Sequence, residues 1–265
     1  MVKRPNQVRD YLKNGSIGAL ALLSVGSRLI PGTSQNGPVL SAAVAFAAPK
    51  PAPDSTGYKV LDALATKTDA ALNAFQNAVR PLSHPKALQT AFHSYFAYMT
   101  AHPGEVTKPF LYFVDYGLPS TEPRGYVFDM RTLQVVEGPF TVAHGRGSST
   151  TQYGVPTRFS NAPGSAMTSL GLYVAESLYQ FHGKTGGQSY SSIGLRLKGV
   201  ASTNDKALAR GVVAHGAPYV TPTKAGRSEG CPAMEQSRAQ RVLPEIANGG
   251  MVFLFAPEPN LLAEM

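Results

Sequence analysis

The chain has 265 residues, a formal net charge of +8 and a hydrophobic fraction of 43%, enough to bury a core in one medium domain with a tail or in two small ones. A single cysteine excludes an internal disulfide and any multi-cysteine zinc site. No dense Lys/Arg stripe with interleaved aromatics is present, so nucleic acid is not expected as a partner.

Half of the net charge, +4, lies in residues 1–47, where Lys3, Arg4, Arg9, Lys13 and Arg28 face only Asp10. A basic start, the apolar runs 17–25 and 39–48, and Ala45-Phe46-Ala47 predict an export signal or N-terminal anchor over 1–47. The expected location is therefore the periplasm or cell envelope. Residues 48–57, rich in Pro, read as a stiff linker. Residues 58–104 carry apolar spacing for two helices, separated by Pro81 and the Ser83-His84-Pro85 turn. His84, His93 and His102 fall in these helices and turns, where packing or capping is their expected role.

Residues 105–265 read as a mainly β domain, in keeping with 26 Gly and 21 Pro without a repeat period. Strands are predicted at 110–116, 125–129, 135–144, 170–178, 193–198, 212–215 and 251–255. The glycine-rich stretch 183–188 is expected to be a loop, and 204–210 a short helical turn.

The stretch 212–234 holds the chemistry. His215 ends an apolar strand sixteen positions before Cys231, the lone thiol. Pro232 suits the first position of a helix, which would make Cys231 its N-cap and let the helix dipole favour a thiolate. Gly230 permits a tight turn whose amides, with that of Cys231, face a developing oxyanion. Ser228 is expected to support this turn through a bond to backbone. A buried, inert cysteine and a satisfied core histidine are the alternative.

Several pieces in order resemble the L,D-transpeptidase (YkuD-type) domain, specifically the branch of murein L,D-transpeptidase catalytic domain family proteins. They are the 110–115 strand followed by Pro119-Ser120, then Ala143-His144-Gly145-Arg146-Gly147-Ser148, Phe159-Ser160-Asn161, Gly164-Ser165, Ser169-Leu170-Gly171-Leu172-Tyr173, His182-Gly183-Lys184, and Ser228-Glu229-Gly230-Cys231-Pro232 after His215-Gly216. The resemblance implies a β-sandwich or barrel with an N-terminal helical pair and a helix starting at the cysteine. It makes Cys231 the acylated nucleophile, His215 its general base, Gly230 part of the oxyanion hole and Ser228 the loop support. It implies peptidoglycan stem tetrapeptides as substrate, 3→3 cross-links as product, and no metal or cofactor. Resolution of the acyl-enzyme by water, as an L,D-carboxypeptidase or endopeptidase, and a non-catalytic peptidoglycan-binding role are the alternatives. Asn161, Ser165 and Tyr173 resemble the family's substrate side, and His144, His182, Gly216 and Arg227 join them as candidate substrate contacts. One departure stands out: Glu229 occupies the place where most of the family has a histidine.

Overall fold

The structure, a computed structural model, describes residues 55–263. The expected export segment at 1–47 and most of the linker lie outside the described residues. No described helix is long and apolar enough to cross a membrane.

Two helices open the fold, α1 (Ser55–Phe75) and α2 (Ala87–Ala101). The first starts within the expected linker and ends short of Pro81. An eight-stranded mixed sheet follows. Its strands are β1 (Phe110–Asp115), β2 (Gly125–Asp129), β3 (Gln134–Phe140), β5 (Gly171–Thr185), β6 (Gln188–Gly199), β7 (Val213–Gly216), β11 (Ala233–Met234) and β12 (Met251–Phe255). Their order is β11-β7-β6-β5-β12-β1-β2-β3. The ribbon of β4 (His144–Gly145) with β10 (Arg227–Ser228) and the ribbon of β8 (Val220–Thr221) with β9 (Lys224–Ala225) are separate. Helices α3 (Gln236–Ile246) and α4 (Pro259–Ala263) complete the elements.

The sequence Met-Val-Phe-Leu-Phe explains the place of β12. An uninterrupted apolar run cannot keep one face in water, and all five residues are buried between β1 and β5. The helical pair belongs to the same core. Phe75 and Phe92 lie against Phe128 of β2, with ring centroids 4.6 and 5.6 Å away, and all three are fully buried. Burial of a phenylalanine side chain stabilises by about 2–3 kcal/mol.

Three expectations change. The predicted loop at 183–188 is mostly strand, because Gly186 and Gly187 (φ +56° and +79°) make the whole turn of a β5–β6 hairpin. Two consecutive positive φ values match the twist of the flanking strands, and glycine supplies them without strain. The predicted strand 135–144 divides, since His144 and Gly145 leave β3 to pair in parallel with Arg227 and Ser228. The helix expected from Cys231 starts at Gln236. Between them, Ala233 and Met234 form β11, paired in parallel with His215 and Gly216.

One buried carboxylate ties the helices to the sheet. Asp115 is fully buried and accepts from Ser83 N–H at 2.7 Å, Ser83 Oγ–H at 2.6 Å and Gly117 N–H at 3.0 Å. Hydrogen bonds to a buried charged group are worth about 1.5–3 kcal/mol each. Asp115→Ala is therefore expected to lower the unfolding free energy by about 3 kcal/mol, read as a lower urea midpoint, with the helical pair losing amide-exchange protection first.

Candidate active site

Cys231 lies in a tight turn braced at both ends by the segment before and after His144. Arg146 N–H donates to the Ser228 carbonyl at 2.7 Å, and Ala143 N–H donates to the Ala233 carbonyl at 2.8 Å. Ser228 closes the turn from inside. Its hydroxyl donates to the Cys231 carbonyl at 2.7 Å and accepts from Gly230 N–H at 3.1 Å. Gly230 has φ +124°, and a Cβ there would sit 2.8 Å from the Met167 carbonyl oxygen. Gly145 is equally constrained, since its Cβ would come within 2.9 Å of Gly230 Cα. Glycine at both positions lets two backbones touch.

His215 is held beside this turn by the pairing of β7 with β11. Its N–H donates to the Pro232 carbonyl at 3.4 Å, one residue from the thiol. Its Nδ1 lies 3.1 Å from the Gly216 carbonyl, which can only accept. Nδ1 therefore carries the proton and Nε2 is left as a lone-pair acceptor. Phe181 of β5 stacks on the imidazole, with centroids 4.0 Å apart and planes at 20°. Gly194 makes room for this. It pairs with both Tyr179 and His215, and a Cβ there would strike the Tyr179 ring at 2.7 Å.

The electrostatics differ from those of a helix N-cap. The helix begins five residues beyond Cys231, and Glu235 is its cap, so the dipole does not act on the thiol as expected. Desolvation by the surrounding protein raises the Cys231 thiol above its ordinary range, the Glu229 charge adds to this, and the Val213 backbone and the Arg210 charge oppose it. Burial lowers His215 to about 4, against which the Gly216 bond acts. Both groups are thus neutral near pH 7. Sγ lies 3.9 Å from the Gly211 carbonyl as its hydrogen-bond partner. A neutral thiol and a neutral imidazole, carried on backbones joined by the His215–Pro232 bond, suit proton removal during attack better than a preformed ion pair.

The other expected site residues fall into distinct places. Ser228 lies inside the turn, bonded to the Cys231 carbonyl and the Gly230 amide. Gly230 N–H is occupied by Ser228 Oγ, whereas no hydrogen bond to the Cys231 amide is formed among the described residues. His144 is fully buried and faces Arg124, whose guanidinium lies 3.0 Å from Nδ1. It is therefore part of the scaffold, not a cleft residue. Tyr173 is also fully buried and donates to the Ser169 carbonyl at 2.8 Å. Gly216 is buried where α3 meets the sheet, with no room for a Cβ beside Gln236 and Ser192. His182 follows Phe181 on the strand, so alternation sends it to the opposite face from His215. It lines an open pocket of about 570 Å³ with Lys184, Ser189 and Tyr190. Asn161 donates to the Ser202 carbonyl at 3.2 Å, and Ser165 accepts from Arg210 at 3.3 Å. Arg227 is exposed, with a long 3.4 Å bond to the Ser149 carbonyl. Glu229 pairs with Arg146 at 2.7 Å, both exposed.

Sequence reasoning missed two neighbours of the site. Phe181 is signalled by its alternation with Tyr179 once the hairpin is recognised. Arg210 carries no local signal beyond one basic residue before Gly211.

This arrangement sits on a mainly β fold with N-terminal helices, the architecture of an L,D-transpeptidase-like domain. The sequence matches the family model for the L,D-transpeptidase catalytic domain over residues 81–255, more than half of the chain. The chain belongs to that family. Among solved structures it is similar to an L,D-transpeptidase from Mycobacterium smegmatis (13% identity, 56% of this chain and 59% of that chain, TM-score 0.34). It is similar also to one from Mycobacterium tuberculosis H37Rv (16%, 56% and 57%, TM-score 0.31) and to one from Xylanimonas cellulosilytica (13%, 60% and 68%, TM-score 0.33). The likeness spans about three-fifths of the length of the first of these. No curated protein matches the sequence.

The two buried histidines make stability depend on pH. Burial, then Arg124 and Arg227, lowers His144 to about 3, and His215 is lowered to about 4, both from an ordinary 6.5. A folded pKa below the unfolded one means the unfolded chain takes up the proton first. Stability is therefore full above 6.5 and falls with acid, at about 1.4 kcal/mol per pH unit for each histidine, until the folded values are reached. Urea unfolding should show a loss of about 3 kcal/mol between pH 6.5 and about pH 5, and His144→Gln should remove roughly half of that slope. A stability unchanged across this window would contradict the neutral, buried state of both rings.

Proposed function

We propose that this chain is a cell-wall peptidoglycan L,D-transpeptidase that works through a thioester on Cys231. The observation that carries the proposal is the seating of Cys231 beside His215 within the matched family region, with Nε2 of His215 left as a free acceptor. The substrate is the stem tetrapeptide, cut between meso-diaminopimelate and D-alanine. Sγ attacks the carbonyl carbon of that L,D amide while its proton passes to His215 Nε2. The tetrahedral oxyanion draws on the Cys231 amide, joined by the Gly230 amide once Ser228 Oγ releases it. Collapse breaks the C–N bond, and the leaving amine of D-alanine takes the proton back from His215. An amine on a second stem then attacks the thioester, gives its proton to His215, and leaves a 3→3 cross-link with the thiol restored. Burial supports this sequence, since a base lowered to about 4 is ready to accept a proton throughout the neutral range.

The positively charged start and Ala45-Phe46-Ala47 support export to the periplasm or cell envelope, where this substrate resides.

Purified protein incubated with disaccharide-tetrapeptide should release D-alanine and yield a 3→3 dimer, resolved by chromatography and mass spectrometry. Cys231→Ala should abolish both products. D-Alanine with tripeptide monomer alone would make the enzyme an L,D-carboxypeptidase. Neither product, together with no carbapenem adduct on Cys231, would mark a binding protein in which the pair is inactive.

A further inference from the structure

Arg210 ends the turn that leads into β7, and its guanidinium is held by four neutral acceptors. Nη1 donates to the Ser160 carbonyl at 3.0 Å and to Ser169 Oγ. Nη2 donates to the Met167 carbonyl at 2.8 Å and to Ser165 Oγ at 3.3 Å. No carboxylate pairs with it among the described residues, unlike Arg238, which meets Glu137 and Glu235, or Arg146, which meets Glu229. Its positive charge is therefore fixed but not neutralised.

The charge lies against the thiol-bearing turn. A Cβ on Gly230 would sit 3.5 Å from Arg210 Nη2, so the guanidinium packs directly on the residue before Cys231. The next residue, Gly211, offers its carbonyl to Sγ at 3.9 Å. Arg210 also sets the 160–169 segment, whose Met167 carbonyl closes over Gly230.

We propose that Arg210 is a positioning residue for the reaction, a fixed positive charge that stabilises the Cys231 thiolate as it forms. The proposal rests on the cysteine reading above. The other titratable groups around the thiol are His215, Glu229 and the phenols of Tyr116, Tyr173, Tyr179, Tyr190 and Tyr219. The phenols are all raised by burial and stay neutral. His215 is neutral as well. That leaves Glu229 and Arg210 as the charges acting on Sγ, and Glu229 is exposed and already paired with Arg146. A half-buried cation with no carboxylate partner among the described residues acts through less water than an exposed ion pair, so Arg210 dominates.

The test reads the thiol rather than turnover. The rate of Cys231 alkylation by iodoacetamide is followed against pH in the full chain, with a thermal melt for each variant. Arg210→Gln keeps hydrogen-bond donors and drops the charge, and its alkylation midpoint should rise by about one pH unit. Arg210→Lys restores the charge and should return the midpoint most of the way to that of the unmodified chain. Arg131→Met removes an exposed cation in the β2–β3 turn, at the opposite edge of the sheet from β7 and β11, and should leave the midpoint unchanged. An unshifted midpoint in Arg210→Gln, or equal shifts in the Gln and Lys variants, would overturn the proposal. If Arg210→Gln does not fold, Ser165→Asp decides: a carboxylate at the position that now lies 3.3 Å from Nη2 should pair with the guanidinium and raise the midpoint, and an unshifted midpoint would overturn the proposal. Because no cross-linking is measured, this result stands apart from the fate of the transpeptidase reading.

Discussion

Everything in the candidate site depends on two residues of parallel pairing, Ala233 with His215 and Met234 with Gly216. That contact brings the start of β11 alongside the end of β7, and with it the thiol-bearing turn alongside the imidazole. So short a pairing contributes little by itself and needs support. It gets it from the segment 143–146, which bonds the backbone on both sides of the turn, and from α3, which presses on Gly216. The buried Arg124 in turn bonds the Val142 carbonyl at 2.7 Å and His144 at 3.0 Å, and so holds that segment in place. The long chain of packing from sheet to Arg124 to turn explains why a thiol carried on a loop can still be positioned by rigid elements.

The same packing sets the charge state. Excluding water raises the thiol and lowers the imidazole, so the pair rests neutral. Such a site does not hold a stored thiolate. In the proposed reaction the proton would therefore have to leave as the sulfur attacks. The stack of Phe181 on His215 and the bond from Nδ1 to Gly216 fix the ring and leave Nε2 as its acceptor nitrogen.

Much of the fold was legible because buried strands announce themselves. The runs that became β1, β2, β7 and β12 were each found close to their ends, since apolar continuity or alternation is a local property. The β5–β6 hairpin was underestimated because its outer half is polar, and only the Gly186-Gly187 pair marks the turn. Pro232 misled for a physical reason. Its fixed φ suits the start of a helix, but it also suits the entry to a short strand whose partner lies eighteen residues earlier. Cys231, His215 and Ser228 stand out in the sequence by residue type and neighbouring glycine, and the structure places them on one turn and the strand beside it. The roles of His144 and Tyr173 were not, because burial depends on which face a strand turns inward. Arg210 was invisible for a similar reason: all its partners lie at least 41 residues away in sequence.

The central claim is that Cys231 is acylated with His215 as its base. Rapid mixing with disaccharide-tetrapeptide, followed by intact-protein and peptide mass spectrometry, tests it most directly. The account predicts a tripeptide-acyl adduct on Cys231, formed about a hundred-fold or more slower in His215→Gln at neutral pH. An adduct on another residue, or one that forms on Cys231 at the same rate without His215, would contradict it.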